Sequence, residues 1–276
     1  MPLPFRLAAV DLDDTLLGPD KEVSRANYLA VHRLVDAGVQ VVLASGRRHE
    51  NMRRFYKELD LSSGWIVSCN GAMARNEITD ETIYEKLLPQ HLVGPILGDG
   101  ERFGVTQNFY HRDGGLLVNA TNEWTEIYKT RTKSEVQPVE NILAYSNQPA
   151  LKIIWVTSEE NALVLGKTML DAYGTDELHI VITDPEYLEF MAQGVNKATG
   201  LEYVAERLGI ASAECVAFGD GNNDVEMLVW AGLGIAMPHA RKAAREAANI
   251  VATDGDPETA FARAVDTLFA SPTGEL

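Results

Sequence analysis

The sequence predicts an α/β fold: a doubly wound, mostly parallel sheet forms the core, and an α+β cap domain is inserted into it. Short apolar runs alternate with amphipathic helical segments at both ends of the chain, a pattern typical of parallel sheets with right-handed crossovers. Two of those runs are followed directly by aspartates. The alternation is lost in the middle, which predicts a core of residues 1–86 and 189–276 and a cap of residues 87–188.

The composition is that of an acidic globular protein. Of its 276 residues 46% are hydrophobic, and the formal net charge is −16. This charge disfavours nucleic acid as a partner, because such binding depends on clustered Lys and Arg. No apolar stretch approaches the ~20 residues of a membrane helix, and the N-terminus lacks a signal pattern. The two cysteines lie in apolar runs and are interpreted as buried hydrophobes. We therefore expect a cytoplasmic protein that binds no membrane.

The first elements follow from apolar runs and helix-capping residues. Arg6–Val10, Val39–Ala44 and Trp65–Ser68 are short apolar segments beside polar turns, which predicts buried strands. A helix is predicted between the first two strands, with Ser24 as its N-cap and an end at Gly38. Strands alternating with helices of this length predict a parallel sheet.

The middle and the end of the chain differ in pattern. Short mixed runs and one longer amphipathic segment predict an α+β insertion, with extended segments at Phe103–Thr106, Leu116–Val118 and Leu151–Val156 and a helix at Asn161–Tyr173. After Asn196 the strand-helix alternation resumes. The predicted elements are helix Lys197–Leu208, strand Cys215–Gly219, helix Asp224–Trp230, strand Gly234–Met237, helix Ala240–Ala248 and strand Ile250–Val251.

Carboxylates gather where the first predicted strand ends. Asp11, Asp13 and Asp14 follow an apolar run, and such a cluster is costly to bury unless a cation neutralises it. Two carboxylates at this spacing can divide the work of phosphoryl transfer: one attacks phosphorus while the other moves protons. The alternative is an ordinary Asp-rich turn.

A second acidic loop, residues 219–224, follows the strand Cys215–Gly219. Parallel strands that both deliver aspartate at their carboxyl ends converge on one oxygen-rich pocket, which suits Mg²⁺. The loop lacks the glycine and glutamate that a calcium-binding loop requires, and it lacks the third glycine of a dinucleotide-binding motif. Magnesium is therefore the predicted cofactor.

Ser45 and Lys197 are candidates for binding phosphate. Ser45 lies where a strand ends and a helix is predicted to begin, so its hydroxyl and the free N–H groups there suit an anion. An N-cap without further function is the alternative. Lys197 begins a predicted helix, where a cation needs a compensating anion such as a phosphoryl group or Asp11. The alternative is a solvated surface lysine.

Five motifs in order resemble the haloacid dehalogenase superfamily: DLDDTLL at 11–17, ASGR at 44–47, SCNGA at 68–72, GVNKATGL at 194–201 and GDGNNDVEML at 219–228. Within the superfamily they resemble the Cof-type phosphatases of class IIB, which have a Rossmann-like core and carry a large C2 cap between the second and third motifs of the family pattern, to which ASGR and GVNKATGL correspond. The motifs span nearly the whole core. Asp14 stands where the family pattern usually has Gly.

The resemblance implies a role for each matched residue. Asp11 would be the nucleophile that forms an aspartyl phosphate, and Asp13 would be the general acid and base. The other implied roles are Mg²⁺ binding by Asp11, the backbone carbonyl of Asp13 and Asp220, with Asp224 beside them, and binding of the phosphoryl oxygens by Ser45, Gly46, Lys197 and Asn223.

Substrate-lining residues are predicted both within two of these motifs and on the cap. They are Arg47, Asn70, Gly71, His111 and Arg112. The last two belong to a Gly-flanked polar loop, for which a solvated loop without function is the alternative. The cap as a whole is expected to exclude water and to select the leaving group.

The predicted function is that of a Mg²⁺-dependent phosphatase acting on a small phosphorylated metabolite, a sugar phosphate or a phosphorylated cofactor. A phosphomutase or another phosphotransferase would use the same two aspartates. A non-catalytic receiver-like module phosphorylated on Asp11 is the alternative from another class. A carbon–halogen hydrolase is disfavoured, because four acids around its site would repel one another without a metal.

Overall fold

The computed structural model describes residues 3–174 and 176–270. These residues divide into two compact units. The first unit comprises the described residues up to Tyr84 and from Asn196 onward, and the second unit is Glu85–Val195. The predicted cap, 87–188, falls inside the second unit, and its predicted end lies within a strand of that unit.

The strands are numbered in chain order. They are β1 Leu7–Val10, β2 Gln40–Ala44, β3 Trp65–Ser68, β4 Met73–Asn76, β5 Thr82–Glu85, β6 Thr106–His111, β7 Leu116–Val118, β8 Gln137–Pro138, β9 Ala150–Val156, β10 Leu178–Asp184, β11 Tyr187–Ala192, β12 Cys215–Gly219, β13 Leu233–Ala236 and β14 Ile250–Val251.

The α-helices are numbered in the same way. They are α1 Arg25–Asp36, α2 His49–Glu58, α3 Gln90–Phe103, α4 Glu123–Thr132, α5 Glu159–Tyr173, α6 Lys197–Leu208, α7 Val225–Trp230, α8 Lys242–Ala247 and α9 Ala260–Ala270.

The first unit is built on an eight-stranded sheet in the order β14-β13-β12-β1-β2-β3-β4-β5. Neighbouring strands from β14 to β3 are parallel, and β4 is antiparallel to β3. Side chains of β1 alternate between two cores. Ala8 and Val10 belong to the cluster that includes residues of α1, α2 and α9, whereas Leu7 and Ala9 belong to the cluster that includes residues of α6, α7 and α8. A sheet covered on both faces needs apolar residues at successive positions, which explains the uninterrupted apolar runs.

The second unit is built on a six-stranded sheet in the order β10-β11-β9-β6-β7-β8. Its pairs are antiparallel except β7–β8. One apolar cluster forms its core, in which the buried rings of Phe109, Trp155 and Phe190 join residues of α3 and α5. The predicted α/β class, with a mostly parallel core sheet and an α+β insertion, is confirmed.

Several predicted elements have the expected bounds, among them α6, β3, β12 and β14. The extended run predicted at Phe103–Thr106 is wrong at its start, because Phe103 ends α3, a helix with glycines and an internal proline that obscure its period. The predicted start of α7 also differs: residues Asn222–Asp224 form a 3₁₀ turn that precedes it. Among the described residues no helix has the length and apolar character needed to cross a bilayer.

Candidate active site

The pairing of β1 with β12 brings the two acidic segments to one edge of the core sheet. The strands run parallel with Val10 opposite Phe218. The backbone N–H of Asp11 donates to the carbonyl of Phe218 at 3.1 Å, and Asp220 follows the last residue of β12. The carboxyl ends of parallel strands are where open α/β sheets bind ligands.

Three aspartates form an acid cluster at this edge. Asp11, Asp220 and Asp224 each place a carboxylate oxygen within 4.8 Å of the others. Burial raises the pKa of Asp11 well above its usual range, and the charge of Asp224 adds to this effect. Burial, again with a contribution from Asp224, raises the pKa of Asp220 to about 7. The cluster therefore carries more negative charge than its surroundings neutralise.

Lys197 supplies one positive charge to this cluster. Its fully buried ammonium lies 2.5 Å from Oδ1 of Asp11 and 2.6 Å from Oδ1 of Asp224. Burial alone would lower the pKa of Lys197, but the two carboxylates outweigh it and raise the pKa. Lys197 is the first residue of α6, as predicted. The alternative of a solvated surface lysine is wrong.

The loop after β12 is held by hydrogen bonds of its own carboxylates. Oδ2 of Asp224 accepts from the backbone N–H groups of Asp220 and Gly221 at 2.9 and 2.8 Å. Oδ1 of Asp220 accepts from the hydroxyl of Thr15 at 2.8 Å. Sequence analysis did not single out Thr15, although it belongs to the same motif as Asp11. These contacts fix the positions of the acids in the loop.

Asp13 lies outside the acid cluster and is paired with Arg47. Nε and Nη2 of Arg47 donate to the two carboxylate oxygens of Asp13, both at 2.7 Å. Burial acts to raise the pKa of Asp13, but the bonds and charge of Arg47 outweigh it and lower the pKa. Lys21 is a second cation nearby, 3.5 Å from Asp13. The carboxylate predicted as general acid and base is thus set apart from the acid cluster.

Asp14, where the family pattern has Gly, has a left-handed backbone with φ of +59°. Glycine adopts this conformation without steric cost, and Asp is among the few other residues that tolerate it. Its added charge is paired: Nζ of Lys21 donates to Oδ1 of Asp14 at 2.8 Å. The departure from the family pattern therefore keeps both the backbone geometry and the local charge balance.

Ser45 lies in a loop rather than at the start of a helix. The helix α2 begins at His49, and Arg48 occupies the N-cap position. The interpretation of Ser45 as a residue at the N-terminus of α2 is therefore wrong. The hydroxyl of Ser45 accepts from the N–H of Arg47 at 3.2 Å, which leaves its own proton for another acceptor. The loop stays non-helical here because its carbonyl groups accept hydrogen bonds from the turn that follows β3.

That turn, Cys69–Asn70–Gly71, connects three of the motifs. All three of its residues have a positive φ. The N–H groups of Cys69 and Asn70 donate to the carbonyls of Arg47 and Ser45 at 2.8 and 3.0 Å. The side chain of Asn70 accepts from the amide of Asn223 at 2.9 Å. The turn therefore links the loop after β2 to the loop after β12.

Gly71 also makes a close approach to the motif GVNKATGL, which contains Asn196 and Lys197. A Cβ at this position would lie 1.9 Å from the carbonyl oxygen of Asn196, next to Lys197. Gly46 is packed closely as well, since its Cβ would lie 2.8 Å from Oδ1 of Asn70. Position 71 requires glycine because backbone atoms occupy the space of a Cβ, whereas at position 46 the end of the Asn70 side chain would have to shift. Both are among the predicted binding residues.

His111 and Arg112 lie in the second unit, at the end of β6 and in the turn that follows. The guanidinium of Arg112 donates to Glu85 at 3.0 Å, and the ring Nδ1 of His111 accepts from the N–H of Asp113 at 3.1 Å. Their predicted role in lining the substrate stays a prediction.

The donor set fits a hard divalent cation. Mg²⁺ prefers carboxylate and carbonyl oxygens, and the three clustered acids exceed the single charge of Lys197. Burial, with the charge of Asp224 added, raises the pKa of both Asp11 and Asp220, so a bound cation would favour their ionised forms. The same donor set is compatible with other oxygen-loving divalent ions.

Comparisons with known proteins agree with this geometry. The family model for haloacid dehalogenase-like hydrolases matches residues 8–264. The chain belongs to this family. A solved structure of a haloacid dehalogenase-like hydrolase from Bacteroides thetaiotaomicron shares 27% identity and a TM-score of 0.85, covering 96% of this chain and 100% of that one.

The relatives of the present chain include two phosphatases with named substrates. The HMP-PP phosphatase of Cronobacter sakazakii is 28% identical over 241 residues, with 85% of each chain covered. The 5-amino-6-(5-phospho-D-ribitylamino)uracil phosphatase of Bacillus subtilis is 27% identical over 274 residues, 96% of this chain and 97% of that one. The predictions of a haloacid dehalogenase-like protein, of an enzyme and of the phosphatase class are confirmed.

Proposed function

We propose that this hydrolase removes the phosphoryl group from a small phosphorylated metabolite with the help of Mg²⁺, through an aspartyl phosphate on Asp11. The observation that carries the proposal is the position of Asp11. Its carboxylate lies at the edge of the core sheet, is 2.5 Å from the ammonium of Lys197 and belongs to the acid cluster with Asp220 and Asp224.

In the first step, one carboxylate oxygen of Asp11 attacks phosphorus. A bond forms between this oxygen and phosphorus, and the bond from phosphorus to the substrate oxygen breaks. Asp13 gives its proton to the departing oxygen, which leaves as a neutral alcohol. Two N–H donors of Lys197 are used on Asp11 and Asp224, and the third suits a phosphoryl oxygen.

In the second step, water attacks the phosphorus of the aspartyl phosphate. Asp13, now ionised, takes a proton from this water, and the bond between phosphorus and the oxygen of Asp11 breaks. Inorganic phosphate leaves, and both aspartates return to their initial state. The hydroxyl of Ser45 and the amide of Asn223 are suited to hold phosphoryl oxygens in both steps, since both belong to loops fixed by the turn at Asn70.

Mg²⁺ would be held by Asp11, Asp220 and the backbone carbonyl of Asp13, with Asp224 supporting the loop. When bound, it would neutralise the acid cluster and the charge of the phosphoryl oxygens, which is a large part of catalysing phosphoryl transfer. The acid cluster has three carboxylates, two of which contact the single ammonium of Lys197, and this excess of negative charge supports the assignment.

The substrate class is proposed from the relatives. Two of them are named for small phosphorylated compounds, HMP-PP and 5-amino-6-(5-phospho-D-ribitylamino)uracil. We propose a substrate of the same general kind, a phosphorylated cofactor precursor or a sugar phosphate.

The first prediction tests the nucleophile and the metal together. A panel of phosphorylated metabolites and p-nitrophenyl phosphate is incubated with the enzyme, with and without Mg²⁺, and released phosphate is measured. We expect hydrolysis that requires Mg²⁺ and is lost on chelation. Asp11→Asn should lower kcat by at least about 1,000-fold, because the amide cannot attack phosphorus.

The matched control is Asp266→Asn, which removes a carboxylate that is 62% exposed and paired with Arg33 at the surface. It should leave the rate unchanged. Full activity of Asp11→Asn, or full activity after exhaustive chelation, would contradict the proposal. Substrate isomerisation without release of phosphate would identify a phosphomutase instead. A phosphorylated protein that persists for minutes without turnover would identify a receiver-like module.

A further inference from the structure

We propose that Arg47 is a positioning residue for the general acid and base: it orients the carboxylate of Asp13 and acts on the reaction through Asp13 alone. This inference rests on the proposed function. The inference goes beyond the proposed function, because it gives Arg47 a role that is distinct from lining the substrate.

The geometry of the pair carries the inference. Nε of Arg47 lies 2.7 Å from Oδ2 of Asp13, and Nη2 lies 2.7 Å from Oδ1. Two parallel bonds to both oxygens fix the plane of the carboxylate as well as its position, which a single contact cannot do. Proton transfer depends on such alignment with the oxygen that receives or loses the proton.

Arg47 is itself held firmly at both ends. Its side chain is 4% exposed, and the guanidinium carbon lies 5.4 Å from the ring centroid of the fully buried Phe55. Its backbone N–H donates to the hydroxyl of Ser45 at 3.2 Å, and its carbonyl accepts from Cys69 at 2.8 Å. A group restrained in this way can transmit its own fixed position to Asp13.

Lys21, the other cation beside Asp13, is not placed to do the same. It lies 3.5 Å from Asp13 and donates at 2.8 Å to Asp14. An ammonium is a compact charge without a planar fork. Lys21 therefore contributes attraction, whereas Arg47 determines orientation.

The pairing favours the ionised form of Asp13, which takes a proton from water, and it keeps one bond to the protonated form. When Asp13 is ionised, each of its oxygens accepts one bond from Arg47. When Asp13 carries the proton that it gives to the leaving oxygen, its other oxygen keeps one bond. Arg47 neither gains nor loses a proton, because guanidinium stays charged in proteins.

The second prediction concerns the leaving group. Phenyl phosphate and p-nitrophenyl phosphate have similar size, but p-nitrophenolate departs without a proton far more readily than phenolate. We expect Arg47→Ala to lower kcat/KM for phenyl phosphate at least about 10-fold more than for p-nitrophenyl phosphate, a part of the usual contribution of general acid catalysis. Arg47→Lys should also lose more kcat/KM on phenyl phosphate than on p-nitrophenyl phosphate, because lysine keeps the charge but cannot form the two parallel hydrogen bonds.

A double-mutant cycle tests whether Arg47 acts through Asp13. With p-nitrophenyl phosphate, Arg47→Ala should lower kcat about 10-fold or more, because Asp13 then activates water poorly. In an Asp13→Asn background the same change should have no further effect, since coupled residues give non-additive losses. Arg53→Ala is the matched control, because it removes an arginine of α2 that pairs with Glu77. It should give wild-type values.

Two outcomes would overturn the role of Arg47. One is an equal loss of kcat/KM on both esters after Arg47→Ala. The other is a loss that adds in full to that of Asp13→Asn, as expected if Arg47 binds the phosphoryl group or only supports the fold. Either result with an active, Mg²⁺-dependent wild type leaves the phosphatase assignment in place. Inactivity of the wild type towards every ester tested would instead remove the proposed function.

Discussion

The backbone of a few residues determines how the motifs of this site meet. Gly71 has a φ of +94° and lies where any Cβ would collide with the carbonyl of Asn196. Cys69 and Asn70 precede it with φ of +52° and +56°, a conformation that costs energy in residues with side chains. Such strain persists only because the hydrogen bonds to Arg47 and Ser45 hold the turn. The turn is therefore a connector between loops rather than a simple end of β3.

The third prediction compares two glycines of the first unit. Gly71→Ala should lower kcat/KM on the order of 100-fold, because the backbone at Asn196 must shift and Lys197 moves with it. Gly38→Ala is the control. Its φ is also positive, +84°, but the space around it is open, so we expect a loss of about 1–2 kcal/mol in stability and unchanged kcat/KM. Kinetics and urea unfolding of both variants check this, and equal kinetics would contradict it.

For single residues, the sequence predicts the positions of the acidic side chains better than it predicts which side chains contact them. Asp11 and Asp220 could be placed together because each follows an apolar run, and parallel strand ends share an edge of the sheet. The bonds between Arg47 and Asp13, and between Thr15 and Asp220, join side chains far apart in sequence. No local pattern specifies which of several nearby cations reaches a given carboxylate. Only the folded chain shows these contacts.

Among the elements, the start of α2 departs most clearly from expectation and matters most to the site. The four-residue loop before it contains Ser45 and Arg47, and the helix begins at His49. His49 is buried, with Nε2 3.2 Å from Oε2 of Glu77. Burial lowers the pKa of His49, helped by the charge of Arg75 and opposed by Glu77. The helix that follows Arg47 thus begins with a histidine whose protonation is disfavoured by burial.

The fourth prediction concerns stability and pH. Because the pKa of His49 is lowered in the folded state, the unfolded chain takes up this proton first as the pH falls below about 6.5. Stability is then lost as pH falls, until the folded state is protonated as well. His49→Gln should therefore show a smaller decrease in the free energy of unfolding between pH 7.5 and 5.5 than the wild type.

The comparison is made by urea unfolding at both pH values. His91→Gln is the control, because it removes a histidine whose side chain is 63% exposed. It should follow the wild-type pH dependence. A slope for His49→Gln as steep as that of the wild type would show that His49 does not contribute.

The elements of the first unit were easier to predict than those of the second. Strands β1, β2, β3 and β12 are buried on both faces and leave an apolar signature in the sequence. In the second unit, β10 has mostly half-buried residues, and α3 contains Pro95. Such elements lack a clear period, so their bounds become visible only when their tertiary partners are present.

The molecule as a whole contains separate apolar cores. Two clusters flank the sheet of the first unit, and the third consists wholly of residues in the second unit. The second unit spans enough residues for an independent domain and has a continuous sheet. Its place between the motifs ASGR and GVNKATGL was predictable from the spacing of those motifs, whereas its strand order was not.

The fifth prediction follows from this division. Residues 85–195 expressed alone should fold and unfold cooperatively in urea, with fluorescence of the buried Trp155 shifting to the red on unfolding. Phe190→Ala, which empties part of the core beside Trp155, should lower the free energy of unfolding by about 3–5 kcal/mol. Leu163→Ala is the control, because Leu163 is 60% exposed. A gradual, non-cooperative fluorescence change would contradict independent folding.

The contact between Lys197 and Asp11 has a consequence for biosynthesis. The two residues are 186 positions apart, and β1 gains its neighbour β12 only when that later strand has been translated. Translation proceeds at about 5–20 residues per second, so Asp11, the proposed nucleophile, waits many seconds on the ribosome for its ammonium partner. On the proposed mechanism, a nascent chain that has not yet gained Lys197 and the loop after β12 is therefore inactive, and turnover begins only after this later part of the first unit has been synthesised.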